Sequence, residues 1–423
     1  VHLIDGITGS GKTEVYLRVI AEILARGRQA LVLVPEIALT PQTVQRLRDR
    51  FGAAAALHSA TADGARFETW TAAASGEHRI VIGTRSALFT PFAQLGLIVV
   101  DEEHDTSFKQ SDGLRYSARD VAIVRARELG IPCVLGSATP ALESIVNANR
   151  GRYARHRLTE RPGIAQLPRM RVVDVRGHRL EGGLSQPMLT AIRAHLQADA
   201  QVLVFLNRRG YAPTLFCTEC GWQAHCDACD VRVTLHKTPH ELRCHHCDRR
   251  YDIPDGCSAC ARPTLIALGS GTQRTEATLR ELFPGVAVFR VDRDSTRTQP
   301  RMERLLAEMA STRPAILIGT QMLAKGHHLP DVTLVAVVDA DNGFLSADFR
   351  APERTAQLIT QVAGRAGRSE RPGEVWIQSF DPGNANLQAL VTDGYPGFVD
   401  AELEHRKAAG SVSYTHLRAH ETP

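Results

Sequence analysis

The sequence has no apolar run approaching the ~20 residues needed to cross a bilayer, and its first residues carry no charged-then-apolar signal pattern. The first absence excludes a membrane-spanning helix, and the second makes a cytoplasmic location the expectation. Strong charge of either sign is also missing. The formal net charge is only +4, which permits nucleic-acid binding without demanding it. Cysteine is nearly absent outside one stretch, since eight of nine fall between residues 217 and 260. Val1 rather than Met opens the chain, so a fragment is expected. Residues 411–423 read as a non-native tail, because Ser413–Pro423 has neither helical nor strand periodicity. What remains is ordinary for a globular protein, with 43% hydrophobic and 23% charged residues over 423 positions, enough for about two to three domains.

The run Asp5-Gly6-Ile7-Thr8-Gly9-Ser10-Gly11-Lys12-Thr13 fits the phosphate-loop pattern GxxxxGK[ST] without a mismatch. Gly6, Gly9 and Gly11 let backbone N–H groups turn inward around phosphates, and a helix starting near Lys12 adds its positive dipole end. Lys12 is expected to reach the β- and γ-phosphates of ATP, and Thr13 to hold Mg²⁺. The flanks agree: Val1–Ile4 reads as a strand and Thr13–Arg26 as a helix.

Short β-rich runs then alternate with helix-length segments, with strands expected at Ala30–Val34, Arg79–Ile82, Leu97–Val100 and Pro132–Leu135. That rhythm predicts an α/β fold with a parallel sheet covered by helices, whose ligands sit beyond the carboxyl ends of strands. After Leu97–Val100 comes Asp101-Glu102-Glu103-His104. Asp101 is expected to hold Mg²⁺, directly or through water, and Glu102 to position and polarise the attacking water. After Pro132–Leu135 comes Gly136-Ser137-Ala138-Thr139-Pro140, whose two hydroxyls can link the γ-phosphate state to a second ligand or simply cap the next helix.

GxxxxGKT, DEEH and SAT, in that order, resemble motifs I, II and III of the superfamily 2 helicases. Pro35-Glu36-Ile37-Ala38-Leu39-Thr40-Pro41-Gln42 and Gly83-Thr84-Arg85-Ser86-Ala87 narrow the likeness to strand-contacting motifs of the PriA family of bacterial replication-restart helicases. The segment from Thr106 to Tyr116 resembles that family's aromatic-rich loop. Phe108 and Tyr116 there can stack on unpaired bases, while Lys109 and Arg115 can pair with phosphates. Leu114 stands where some relatives carry Trp, which removes one stacking partner. The competing reading makes Phe108 and Tyr116 small-core residues under a loop.

Residues 151–185 are rich in Arg, Pro and Gly and read as the connection between two lobes. The βα rhythm then resumes with helix Pro187–Gln197 and strands Gln201–Leu206, Thr264–Leu268, Val286–Val291, Ala315–Ile318 and Val332–Val338, expected as a second parallel sheet. Asn207–Tyr211 follows the second-lobe strand, and Asp339 and Asp341 follow the last one without an assigned role. Gly319–His328 and Gln361–Arg368 resemble helicase motifs V and VI. Arg365 and Arg368, three apart, are expected on one helix face as arginine fingers for the γ-phosphate.

Four CxxC pairs, Cys217/Cys220, Cys226/Cys229, Cys244/Cys247 and Cys257/Cys260, supply eight thiols, enough for two tetrahedral Zn²⁺ ions. Disulfides are the competitor, disfavoured in a cytoplasmic ATPase. Spacing alone leaves the pairing of loops open. Cys226/Cys229 with Cys244/Cys247 make a ribbon-like inner knuckle, and the other two pairs would close its base, a nested order that the PriA family resemblance implies. His225, His245 and His246 are bystanders beside a full thiol set.

The expected organisation is a first RecA-like lobe over 1–150, a connection over 151–185, a second lobe over 186–216 and 261–407, and a zinc insertion over 217–260. The resemblance implies ATP-driven 3′ to 5′ unwinding of DNA, forked or single-stranded, at stalled replication forks. It also implies partners: primosome proteins, single-stranded-DNA-binding protein and the loading system of the replicative helicase. A P-loop kinase is disfavoured by motifs V and VI. The other alternative is a DNA-responsive ATPase switch that recruits partners through the zinc module without processive unwinding.

Overall fold

The computed structural model describes residues 1–35, 41–58, 61–161, 168–206, 215–228, 233–237, 240–244, 247–267, 272–291, 299–320, 331–338, 340–346, 348–367 and 371–408. They form two compact units, Val1–Gly163 and Ile164–Pro423.

The first unit is built on seven strands: β1 (His2–Gly6), β2 (Gln29–Leu33), β3 (Ala55–Leu57), β4 (Ile80–Gly83), β5 (Leu95–Asp101), β6 (Cys133–Ser137) and β7 (Ala154–Leu158). They lie in the order β3-β4-β2-β5-β6-β1-β7, with every neighbouring pair parallel. Successive residues of a strand face opposite sides of a sheet, so a sheet covered on both faces needs continuous apolar runs. Leu31, Leu33, Ile98 and Val100 enter one cluster, while Ala30, Val32, Leu97 and Val99 enter the other. Cys133 belongs to the first cluster, and burial pushes its thiol up to about 12, which makes it an inert core residue. Helix α1 (Lys12–Ala25) buries Tyr16, Ile20 and Ile23 on one stripe and gives way to Gly27, whose φ of 74° suits a residue without Cβ.

The run 151–185 is not a bare connection. Its first part supplies β7, an edge strand beside β1, and its second supplies a strand to the other unit. As Ala-Arg-His-Arg-Leu, β7 has no apolar run to announce it, because an edge strand covered on one side tolerates charged residues.

The second unit has its own parallel sheet: β8 (Arg169–Asp174), β9 (Gln201–Phe205), β10 (Ala287–Val291), β11 (Ala315–Gly319), β12 (Val332–Val337) and β13 (Glu374–Ser379), in the order β8-β13-β12-β9-β11-β10. Helix Gln186–Gln197 lays Met188, Leu189, Ile192 and Leu196 into a cluster with Val202, Val204, Ile316, Ile318 and Leu334. One expected strand is placed differently. Leu265–Ala267 does not join this sheet but pairs antiparallel with Leu215–Cys217, closing the neck of the cysteine-rich insertion. Ile266 is 37% exposed, a poor fit to a sheet covered on both faces. No helix among the described residues is long and apolar enough to cross a membrane.

Candidate nucleotide site and cysteine-rich module

Because β5, β6 and β1 are adjacent and parallel, their carboxyl ends meet at one edge of the first sheet. Asp101 stands opposite Gly136, and Asp5 opposite Ser137. The phosphate loop follows β1. Gly9 and Gly11 hold φ of 84° and 88°, left-handed values that glycine adopts without strain. A Cβ on Gly6 would meet Ser10 Oγ at 2.6 Å. Lys12 Nζ folds back to donate to the Gly6 carbonyl at 2.7 Å, and Arg161 Nε donates to the Thr8 carbonyl at 2.8 Å. Gly11 caps α1 without a side-chain hydrogen bond, and Ser10 Oγ is buried without a partner among the described residues. An open helix N-terminus beside an orphaned hydroxyl and an ammonium suits the phosphates of a nucleotide.

Asp101 Oδ1 accepts from Tyr16 Oη and from the Glu102 N–H, both at 3.0 Å. Burial, reinforced by the charge of Glu102, raises the Asp101 carboxyl to about 6 against the opposing pull of Lys12. Glu102 has a φ of 49°, unusual for a residue with Cβ, which marks strain at a turn between strand and site. Its Oε2 is buried without a hydrogen bond and lies 3.6 Å from His104 Nδ1. That His104 nitrogen meets Ser137 Oγ at 2.7 Å, and Ser137 Oγ in turn accepts from the Thr139 N–H at 2.8 Å. The acidic motif and the SAT motif are therefore wired together through His104.

Sequence reasoning passed over Tyr16 and Glu103. Glu103 is 2% exposed, and its carboxylate accepts from the Ala141 N–H (2.7 Å), Ser144 Oγ (2.9 Å) and Arg119 Nη1 (3.1 Å). It binds the acidic motif to the helix Leu142–Asn149 and to the helix Ala118–Glu128. The available signal was an extra acid beside Asp101 and Glu102 with Arg119 downstream, but their separation in sequence hid the contact.

The aromatic-rich segment folds as a small hairpin in which Lys109–Gln110 pairs with Tyr116–Ser117. Here one expectation is corrected. Phe108 is 2% exposed and lies in the first unit's core cluster, so its ring anchors the hairpin and is not offered for stacking. Tyr116 is half-buried with its ring edge-on to Phe89 at 5.2 Å. Lys109, Leu114 and Arg115 are exposed. Arg85 Nη1 reaches the Lys109 carbonyl at 3.1 Å, holding the hairpin base against the turn that follows β4.

In the second unit, helix Ala351–Ala363 stops at Gly364, and Arg365 occupies the turn beyond it, 8% exposed. The expected shared helix face is thus not formed at Arg365, because Gly364 ends the helix and Gly367, with φ of 68°, turns the chain. The Gly367 N–H donates to the Val332 carbonyl. Asp341 is buried, its carboxylate accepting from Ser379 Oγ at 2.6 Å and the Phe380 N–H at 2.8 Å, a cap on the end of β13. Arg368, Asp339, Asn207–Tyr211, most of Pro35–Gln42, most of Gly319–His328 and the tail lie outside the described residues.

The cysteines gather in two groups. Cys217, Cys220, Cys257 and Cys260 bring their sulfurs within 4.8 Å of one another, as do Cys226, Cys244 and Cys247, while Cys229 lies outside the described residues. The Cys217–Cys260 and Cys220–Cys257 sulfurs are 3.6 Å apart, and those of Cys226 and Cys247 3.5 Å. A tetrahedral ion with Zn–S bonds of about 2.3 Å spaces its sulfurs by about 3.8 Å, whereas a disulfide needs about 2.05 Å. The thiols therefore fit zinc. A feature not read from sequence repeats around them. The residue after each of three CxxC pairs, Gly221, Asp248 and Ala261, takes positive φ (76°, 65° and 58°). Each donates its N–H back to the carbonyl of the first cysteine, at 3.0, 2.9 and 2.8 Å. This turn aims both thiols at one point. Among the described residues the module's own apolar cluster has six buried members, two of them cysteines, which is a small core for a segment of this length.

Three family models match: DEAD/DEAH box helicase over residues 2–148, the PriA DNA helicase Cys-rich region domain over 226–250, and the helicase conserved C-terminal domain over 264–370. The chain is 50% identical over 98% of its length to Replication restart protein PriA of Haemophilus influenzae, and 41% identical over 99% to that of Bacillus subtilis. Over almost its whole length the chain is thus similar to the PriA replication restart proteins. It spans 57% and 52% of those two relatives, about half their length. Among solved structures, RecG bound to a three-way DNA junction matches with a TM-score of 0.52 at 17% identity, covering 95% of this chain and 43% of that one. Saccharomyces cerevisiae Dbp5 bound to RNA and ADP BeF3 matches with 0.52 at 16%, covering 93% and 83%. These two likenesses establish the fold, two RecA-like lobes, to which the chain adds its cysteine-rich insertion.

Proposed function

We propose that this chain is the motor portion of an ATP-dependent DNA helicase with 3′ to 5′ polarity, which remodels stalled replication forks and starts primosome assembly in the bacterial cytoplasm, at the nucleoid. The observation that carries the reading is the meeting of Lys12, Asp101 and Glu102 at one sheet edge, in a chain half identical to a replication restart protein. Lys12 and the loop glycines hold the phosphates, Thr13 and Asp101 hold Mg²⁺, and Glu102 positions the attacking water. Bound Mg²⁺ supplies charge neutralisation on the phosphoryl oxygens. Arg365 and Arg368 act as arginine fingers. Lys109, Arg115 and Tyr116 meet single-stranded or forked DNA. The eight thiols, Cys229 included, hold two Zn²⁺, and the module they fold presents a surface to DNA and to primosome partners. Those partners include single-stranded-DNA-binding protein and the loader of the replicative helicase.

The test is ATP hydrolysis by this chain with and without single-stranded DNA, with Lys12→Ala as control. The expected result is a DNA-stimulated rate that the variant loses. A rate that is Lys12-dependent yet indifferent to DNA, alongside no strand displacement by a full-length relative, would favour the switch reading instead.

A further inference from the structure

Tyr16 lies one turn beyond Lys12 on α1 and is 5% exposed, in one apolar cluster with Ile20, Val99 and Val134. A phenylalanine would fill that slot as well, so the hydroxyl needs its own account. It donates to Asp101 Oδ1 at 3.0 Å. The backbone of β6 is cleared to admit it: a Cβ on Gly136 would stand 1.5 Å from the Tyr16 hydroxyl and 2.6 Å from Cζ. Gly136 is also the residue opposite Asp101 in the sheet. The second donor to Asp101, the Glu102 N–H, falls on the same oxygen, Oδ1. Among the described residues Oδ2 has no donor. A carboxylate pinned twice through one oxygen cannot rotate freely and offers the other in a set direction.

We propose that Tyr16 is a positioning residue for the divalent cation: by holding Asp101 Oδ1 against the Gly136 clearance, it presents Oδ2 to the metal of the metal–nucleotide complex. This rests on reading Asp101 as a carboxylate that holds Mg²⁺. The interaction lies within the first unit.

Mn²⁺ binding to the 423-residue chain in the presence of ADP, followed by the electron paramagnetic resonance signal of free Mn²⁺, tests it without turnover. Tyr16→Phe is expected to weaken Mn²⁺ binding about 10-fold, the usual scale for losing a partner of a metal ligand. ADP affinity measured without metal is expected to stay within about 2-fold, because the phosphate loop is untouched. Asp101→Asn is expected to weaken Mn²⁺ at least as much. Wild-type Mn²⁺ affinity in Tyr16→Phe, with Asp101→Asn impaired, overturns the proposal and leaves the Asp101 assignment standing. An equal loss of metal-free ADP affinity in Tyr16→Phe also overturns it, since that marks general loosening of α1. Wild-type Mn²⁺ affinity in Asp101→Asn removes the assignment itself and the proposal with it. A thermal melt of each sample establishes that the variants are folded.

Discussion

Arg119→Met is expected to destabilise the first unit far more than loss of an exposed ion pair. The Glu103 side chain is 0% exposed, and the Arg119 guanidinium is its cationic partner at 3.1 Å. Methionine keeps the aliphatic stem but leaves the carboxylate with two neutral donors, the Ala141 N–H and Ser144 Oγ. Removing one member of a buried pair costs roughly 3–5 kcal/mol, because the survivor stays desolvated and uncompensated. For a unit spanning Val1–Gly163, at about 2–4 °C per kcal/mol, its thermal transition should fall by roughly 6–20 °C. In a Glu103→Gln background no charge is stranded, and the same change should cost only about 1 kcal/mol, giving a coupling of at least about 2 kcal/mol. Calorimetry of the four proteins with and without ADP measures this, since the nucleotide shifts the transition of the unit that binds it. Arg18→Met, which removes a pair with Glu14 whose side chains are 76% and 46% exposed, is the control and should change stability by under about 0.5 kcal/mol. An Arg119→Met shift no larger than the control, or additive effects around the cycle, would refute the reasoning.

Cys226→Ser should lower bound zinc by about one ion per chain, read by metal analysis, while ADP binding stays intact; full zinc content would contradict the thiol assignment. Strong chelation should unfold the residues between Leu215 and Ala267, seen as lost amide-exchange protection there, and spare the first unit. Phe108→Ala should cost about 3–5 kcal/mol of stability, with little change in DNA affinity per folded molecule. Weaker DNA binding at an unchanged melting temperature would return that ring to the DNA surface. Lys109→Ala and Arg115→Ala should leave the melting temperature alone and each reduce the salt slope of DNA binding by about 1.

The chemistry-bearing words were legible because they are local. In Gly6–Thr13, residue spacing alone sets which N–H groups can face one phosphate, and a CxxC pair can aim two thiols at one ion wherever it occurs. The parallel sheets were legible for a related reason: strands covered on both faces must be apolar throughout, as Leu97–Val100 is. Edge strands carry no such requirement, and so β7 was hidden in a run that read as a connection. The short run at Leu265–Ala267 lacked the length to say which sheet it joins.

By itself, the sequence determined which residues are candidates to bear chemistry and which class of fold carries them, since both follow from short-range spacing and periodicity. Only the tertiary structure decided what those residues face. Nothing in the linear order says that β1 lies between β6 and β7, yet that neighbourhood brings Asp101 and Ser137 to the phosphate loop. Phe108 and Tyr116 read alike as aromatics in one loop, and packing alone buries the first and leaves the second half-exposed. Tyr16 and Asp101 are 85 residues apart, and Glu103 and Ser144 are 41 apart. Contacts at such separations leave no local pattern, because they exist only once the strands between them have paired.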